Sequence, residues 1–245
     1  NAHVPDGLLT KEQIADYCHE YEAKIEALGG IDLQILGIGG NGHIGFNESG
    51  SLQNSKTRLV ALDHITRVAA SKDFFGLSNT PRTAITLGVK KIMEAKQVIL
   101  LAWGEGKSNI VKKSVEDEVT NRVPASFLQE HNNAVFVLDK EASSKLTRIN
   151  KPWLVEKVVW TDKLTRKAVL GLALQLKKPI LMLTDADYIE NGMSDLLADS
   201  GPAYDINIKI FNKLQNTITG WPGGKPNAED TNRPERAEPA KKRVL

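Results

Sequence analysis

Between Leu36 and Ser51 the chain reads LGIGGNGHIGFNESGS, which sets His43 and Glu48 five positions apart in a loop holding six glycines. An imidazole can take up and release a proton near neutral pH, so a histidine folded back onto a carboxylate is a candidate proton-transfer unit. Glycine is costly in regular structure, and a cluster of it points to tight turns or to close approach of backbone to a ligand. Gly37, Gly39 and Gly42 match the spacing of a dinucleotide fingerprint. No clear helix follows His43, however, and Gly45, Asn47 and Gly50 suit a helix N-terminus poorly, so the nucleotide reading is disfavoured. A structural turn with an incidental histidine is the plain alternative. A second candidate is Lys107 in WGEGK, where two glycines before a lysine leave it poised to reach a ligand.

The elements that must position these groups alternate. Thr10 and Gln13 resemble a capping box, and Ile14, Tyr17, Tyr21, Ile25 and Leu28 recur at helical spacing up to Gly29-Gly30. IDLQILGIG reads as a buried strand that delivers the chain to the glycine loop. TRLVAL, TAITLG, QVILLAW and NAVFVLD read as further strands. ITRVAASKDFF, VKKIMEA, the segment opened by GEGK and PASFLQEH read as the helices between them. Such alternation through about Asp139 predicts an α/β domain with a parallel or mostly parallel sheet. Ligands bind at the carboxyl ends of strands in such sheets, where both glycine loops fall.

Beyond TRINKPWLV the texture changes. Leu164, Ala168, Leu172 and Leu176 predict one helical face ending at Pro179, and MSDLLADSG and AYDINIKIFNKLQ suggest further helices. Residues 216–245 are rich in Pro, Gly and charge and read as an arm or linker, with Trp221 suggesting that the arm docks. The expected division is 1–150, 151–215 and 216–245.

The bulk numbers fit a soluble globular protein. Of 245 residues, 41% are hydrophobic and 25% charged, and 32 basic against 30 acidic residues leave a net charge of +2. No basic stripe with interleaved aromatics favours nucleic acid, and no apolar run is long enough to span a membrane. The single Cys18 rules out an internal disulfide, fits a reducing compartment and is expected to be a packing residue. A cytoplasmic protein is expected. The opening NAHVPDG lacks a methionine and reads as a loop from within a longer protein.

LGIGGNGHIGFNE resembles the signature of glucosamine-6-phosphate deaminases, which turn glucosamine 6-phosphate into fructose 6-phosphate and ammonia. The resemblance continues through SKTRLVALDHITRVAASKDFF, TPRTAITLGVKKIMEAKQVILLAWGEGK and VPASFLQEHNNAVFVLD, colinearly over roughly residues 10–150. It implies a three-layer, Rossmann-like sugar-phosphate isomerase fold, here without its N-terminal part and followed by an α-rich extension. It also implies a small sugar phosphate as partner, no cofactor, no metal, homo-oligomeric assembly and an enzyme formally grouped with hydrolases.

The resemblance carries roles onto particular residues. His43 would open the sugar ring, Glu48 would orient it, and Asn41 would position it where some members carry Asp. Lys72, where many members have Arg, and Lys107 would bind the phosphate. The base that removes the C2 proton and a phosphate loop would lie upstream of Asn1, so these residues alone are expected to be inactive. Val60-Ala61 stand where allosterically regulated members have Lys-Thr, which argues against the same activation, although Arg58 is kept. The region after residue 150 resembles a longer bacterial subgroup fused to a deacetylase-like domain. Two rivals share these residues: a 6-phosphogluconolactonase of the same fold, favoured less by IGFNE, and a sugar-phosphate-binding module without turnover.

Overall fold

The computed structural model describes residues 2–219, so the arm with Trp221 lies outside the described residues. The chain divides into two compact units, Asn1–Val155 and Glu156–Leu245.

The first unit begins with α1 (Lys11–Ala27). Gln13 Oε1 accepts the Thr10 amide at 3.0 Å, satisfying one of the donors a helix start leaves open. Cys18 packs inside this helix's inner face, as its type predicts, and burial pushes its thiol up. β1 (Leu33–Gly37), β4 (Gln97–Ala102) and β5 (Ala134–Leu138) form a parallel sheet in the order β1-β4-β5. Leu33 pairs with Gln97 and Gly37 with Leu101, while Ala102 pairs with Leu138. All three strands therefore end on the same side.

The sheet does not take up every strand. β2 (Arg58–Ala61) and β3 (Thr83–Thr86) pair with each other, antiparallel, as a separate two-stranded sheet. Between them the chain reverses through α2 (His64–Ala70) and a turn, and the Leu62 amide closes the base on the Arg82 carbonyl at 2.9 Å. The helix expected over 65–75 also stops early. Ser71 Oγ donates to the Val68 carbonyl, Phe75 has φ +57, and the Gly76 amide folds back to the Ser71 carbonyl. Lys72 consequently sits in a turn.

The core lies on one face of the parallel sheet. Leu36, Val98, Leu100 and Ala102 meet Ile92 of α3 (Val89–Met93), Ile110 and Val111 of α4 (Ser108–Glu116), and Ala125 and Leu128 of a 3-10 segment, Pro124–Glu130. On the opposite face Leu33, Ile35, Val135 and Val137 are exposed, so the described residues supply two of the three layers implied by the resemblance.

Past the short α5 (Thr147–Asn150), the second unit is helical among its described residues. α6 (Asp162–Leu176) buries Ala168 and Leu172 and half-buries Leu164 and Leu176, the expected face. It ends where Lys177 turns left-handed, two residues before Pro179. α7 (Asp185–Glu190), α8 (Ser194–Ser200) and α9 (Ala203–Thr219) follow. Tyr188 is fully buried, and its hydroxyl donates to Asn207 Oδ1 at 2.7 Å. Asn207 Nδ2 donates in turn to the Leu183 carbonyl at 2.8 Å. Burial pushes the Tyr188 phenol far up. Asp187 accepts from Lys178 Nζ at 2.6 Å and from the Thr184 amide at 2.8 Å.

Candidate active site

The parallel register brings the loops after β1, β4 and β5 to one edge. After β1 the chain turns on itself: the Gly39 amide donates to the His43 carbonyl and the Gly42 amide to the Gly39 carbonyl, both at 3.0 Å. Gly42 has φ +87, a conformation that strains any residue with a Cβ. Gly39 is needed for another reason, since a Cβ there would overlap the His43 ring. The two glycines thus form the turn and the wall that hold the imidazole.

A buried frame fixes the rest of the loop. Asn47, fully buried, donates through Nδ2 to the Ile44 and Leu87 carbonyls at 3.0 and 2.8 Å. Its Oδ1 accepts from the Arg58 guanidinium at 2.9 Å, and Arg58 also donates to Ser51 Oγ at 2.9 Å. Burial draws the Arg58 pKa down, though a guanidinium stays charged at any physiological pH. The Phe46 amide donates to Thr86 Oγ1 at 3.0 Å, tying the loop to β3.

On that frame three of the expected residues meet. His43 Nδ1 lies 3.1 Å from Glu48 Oε2, and the ring is only 15% exposed. Asn41 Nδ2 donates to the same oxygen at 2.7 Å, and Asn41 Oδ1 accepts the His43 amide at 3.2 Å. A carboxylate can only accept, so the proton between Glu48 and the imidazole sits on Nδ1, leaving Nε2 as an open base. The arrangement can take a proton at Nε2 and return it, with Glu48 balancing the transient positive charge.

The two lysines are placed differently. Lys107 closes a 3-10 turn, Glu105–Lys107, and its ammonium donates to the Ile38 carbonyl at 2.8 Å, within the glycine loop itself. Gly104 before it is held by Asp139, whose Oδ2 accepts its amide at 2.8 Å. Lys72 is exposed and takes part in none of these bonds. The turn that carries it is tethered by Arg67, which donates to the Leu77 carbonyl at 3.1 Å.

Two site residues escaped the sequence. Asp63 caps α2 through Oδ1, which accepts the Ile65 amide at 3.2 Å, and its own amide donates to Glu48 Oε1 at 3.3 Å. Thr66, buried one turn into α2, places Oγ1 3.2 Å from His43 Nδ1. An Asp before an apolar-periodic run was a readable cap signal for Asp63. Nothing local marks Thr66, whose role depends on where α2 packs. Among the described residues no group of three or more His, Cys, Asp or Glu could hold a metal ion, and no helix is long and apolar enough to cross a membrane.

The first unit thus combines a parallel α/β sheet with a glycine loop folded around a histidine–carboxylate pair at its strand ends. Residues 2–137, more than half of the chain, match the family described as glucosamine-6-phosphate isomerases/6-phosphogluconolactonase, and the chain belongs to that family. A glucosamine-6-phosphate deaminase-like protein of Bacteroides thetaiotaomicron is 56% identical over all 245 residues, which span 37% of its length. The glucosamine-6-phosphate deaminase of Rhodopirellula baltica is 45% identical over 146 residues, 60% of this chain and 57% of that protein. A solved structure of a monomeric glucosamine-6-phosphate deaminase superposes with a TM-score of 0.56 at 36% identity, covering 58% of each chain. The chain therefore spans between about a third and three-fifths of the relatives it matches.

Proposed function

We propose that the complete protein carries out isomerising deamination of glucosamine 6-phosphate to fructose 6-phosphate and ammonia, and that His43 opens the sugar ring. Family membership supports the reaction class. The observation that carries the role of His43 is its Nδ1 tied to Glu48 at 3.1 Å with Nε2 left open. In ring opening Nε2 takes the proton of the anomeric hydroxyl and delivers it to the ring oxygen as the C1–O bond breaks. Glu48 and Asn41 hold the ring in line, and Lys107 and Lys72 neutralise the phosphate. Deamination then requires loss of the C2 proton to give an enolamine and delivery of a proton to C1, which makes C1 a CH2OH group and C2 a ketimine; water hydrolyses the ketimine to the ketone and releases ammonia.

No described residue is assigned to the C2 proton. The test is to incubate the complete protein with glucosamine 6-phosphate and measure fructose 6-phosphate and ammonia together. Equal amounts of both are expected. A folded protein that produces neither sinks the reading. If it instead hydrolyses 6-phosphogluconolactone without ammonia release, it belongs on the lactonase side of the family.

A further inference from the structure

Glu48 Oε2 serves two donors at once, and the shorter bond, 2.7 Å, goes to Asn41, while His43 Nδ1 stands at 3.1 Å. Glu48 alone therefore holds the imidazole only in part. Thr66 Oγ1 lies at nearly the same distance from the same nitrogen, 3.2 Å, and reaches it from a different element. Thr66 is buried in α2 at 8% exposure, so its hydroxyl has little water to turn to. Gly39 lies close enough that a Cβ there would overlap the ring. The Nδ1–H thus faces two acceptors and one wall.

We propose that Thr66 is a positioning residue for His43, its hydroxyl accepting the Nδ1–H beside Glu48 and keeping the imidazole in the tautomer whose Nε2 is open. The role rests on the ring-opening function given above to His43. With the proton on Nδ1, the Thr66 oxygen accepts and its own hydrogen remains available to a bound hydroxyl. Glu48 Oε2 is shared with Asn41, and Thr66 gives the Nδ1–H a second acceptor. The placement of Thr66 depends on Asp63, which starts α2 and donates its amide to Glu48. The helix start and the carboxylate are therefore fixed against each other, and Thr66 follows one turn later.

The experiment compares Thr66→Val and Thr66→Ser in the complete protein, with two readouts. Valine matches threonine in shape but lacks the oxygen; it is expected to lower kcat about tenfold with KM within twofold, the loss of one hydrogen bond to a reacting group. Serine keeps the oxygen and is expected to stay within twofold of the parent. Nitrogen chemical shifts of 15N-histidine-labelled protein report the tautomer without turnover: His43 stays Nδ1-protonated in the parent and in serine, and gains Nε2-protonated form in valine. Circular dichroism checks folding, and Thr66→Ala supplies the same comparison if valine does not fold. Equal impairment of valine and serine, or a valine variant with parental kcat and nitrogen shifts, overturns the role. If the parent itself does not turn over, the deaminase reading fails while the nitrogen shifts still decide the place of Thr66.

Discussion

Among the described residues, a buried polar network around His43 and one around Tyr188 are built from similar parts. In the helical unit the Tyr188 hydroxyl, Asn207 and the Leu183 carbonyl satisfy one another, ending in a closed chain of 2.7 and 2.8 Å bonds. Around His43, Glu48 and Thr66 meet the imidazole at Nδ1, Asn41 and Asp63 hold Glu48, and Nε2 is left open. Burial and hydrogen bonding alone do not mark a site. An open valence beside a closed network does, because it is the group that can act on something from outside.

Substitutions in the two networks should separate accordingly. The largest effect is expected from His43→Gln, which keeps the volume but removes the base: kcat should fall roughly 10²–10⁴-fold while the thermal unfolding temperature holds. A drop in unfolding temperature with little loss of kcat would place His43 with the structural residues. Next comes Asn207→Ala, which strands the Tyr188 hydroxyl and the Leu183 carbonyl. It should cost about 2–4 kcal/mol by calorimetry in the helical unit, with turnover unchanged; a loss of turnover would join the two networks.

Lys107→Ala should raise KM for the phosphorylated sugar about 10- to 100-fold, the worth of a charged hydrogen bond to phosphate. An unchanged KM would leave its bond to Ile38 as a structural tie only. The smallest effect concerns acid. The Lys178 ammonium, followed by the Thr184 amide, holds the Asp187 carboxyl below the usual carboxylate range. Its contribution to stability is complete above the unfolded value of about 3.9 and is lost as pH falls below it towards the folded pKa. Asp187→Asn should flatten that loss in acid melts of the helical unit, and an unchanged acid profile would dismiss the pair.

The sequence made some of this legible and concealed the rest for physical reasons. The expected nearness of His43 and Glu48 came from a spacing rich in glycine, and the loop folds back as that spacing allows. The helical face of Leu164, Ala168, Leu172 and Leu176 was readable because period 3.6 is a local signal. Strand partners are not local. Arg58–Ala61 and Thr83–Thr86 read like the other strands, yet they pair with each other, a choice made by the chain reversal through α2. α2 ends at Ala70, where Ser71 Oγ folds back on the Val68 carbonyl, and the turn beyond it contains a left-handed Phe75 that no propensity announces. Thr66 was invisible for the same reason as the strand partners: its neighbour is twenty-three positions away and meets it only once α2 has docked.

The parallel pairing of β1 also sets a timetable for biosynthesis. Leu33 needs Gln97 and Gly37 needs Leu101, so β1 emerges from the ribosome well before its neighbour exists. At about 5–20 residues per second, the wait is on the order of several seconds. The β2–β3 pair closes a shorter stretch and can form within that interval, bringing Thr86 to the Phe46 amide. Short closures come earlier and at lower entropic cost than long ones. The frame around Asn47 and Thr86 can therefore assemble first, while the β1 edge that carries Ile38 remains open to chaperones. Only after β4 and the Lys107 turn are made can the lysine reach back to the Ile38 carbonyl and complete the histidine loop.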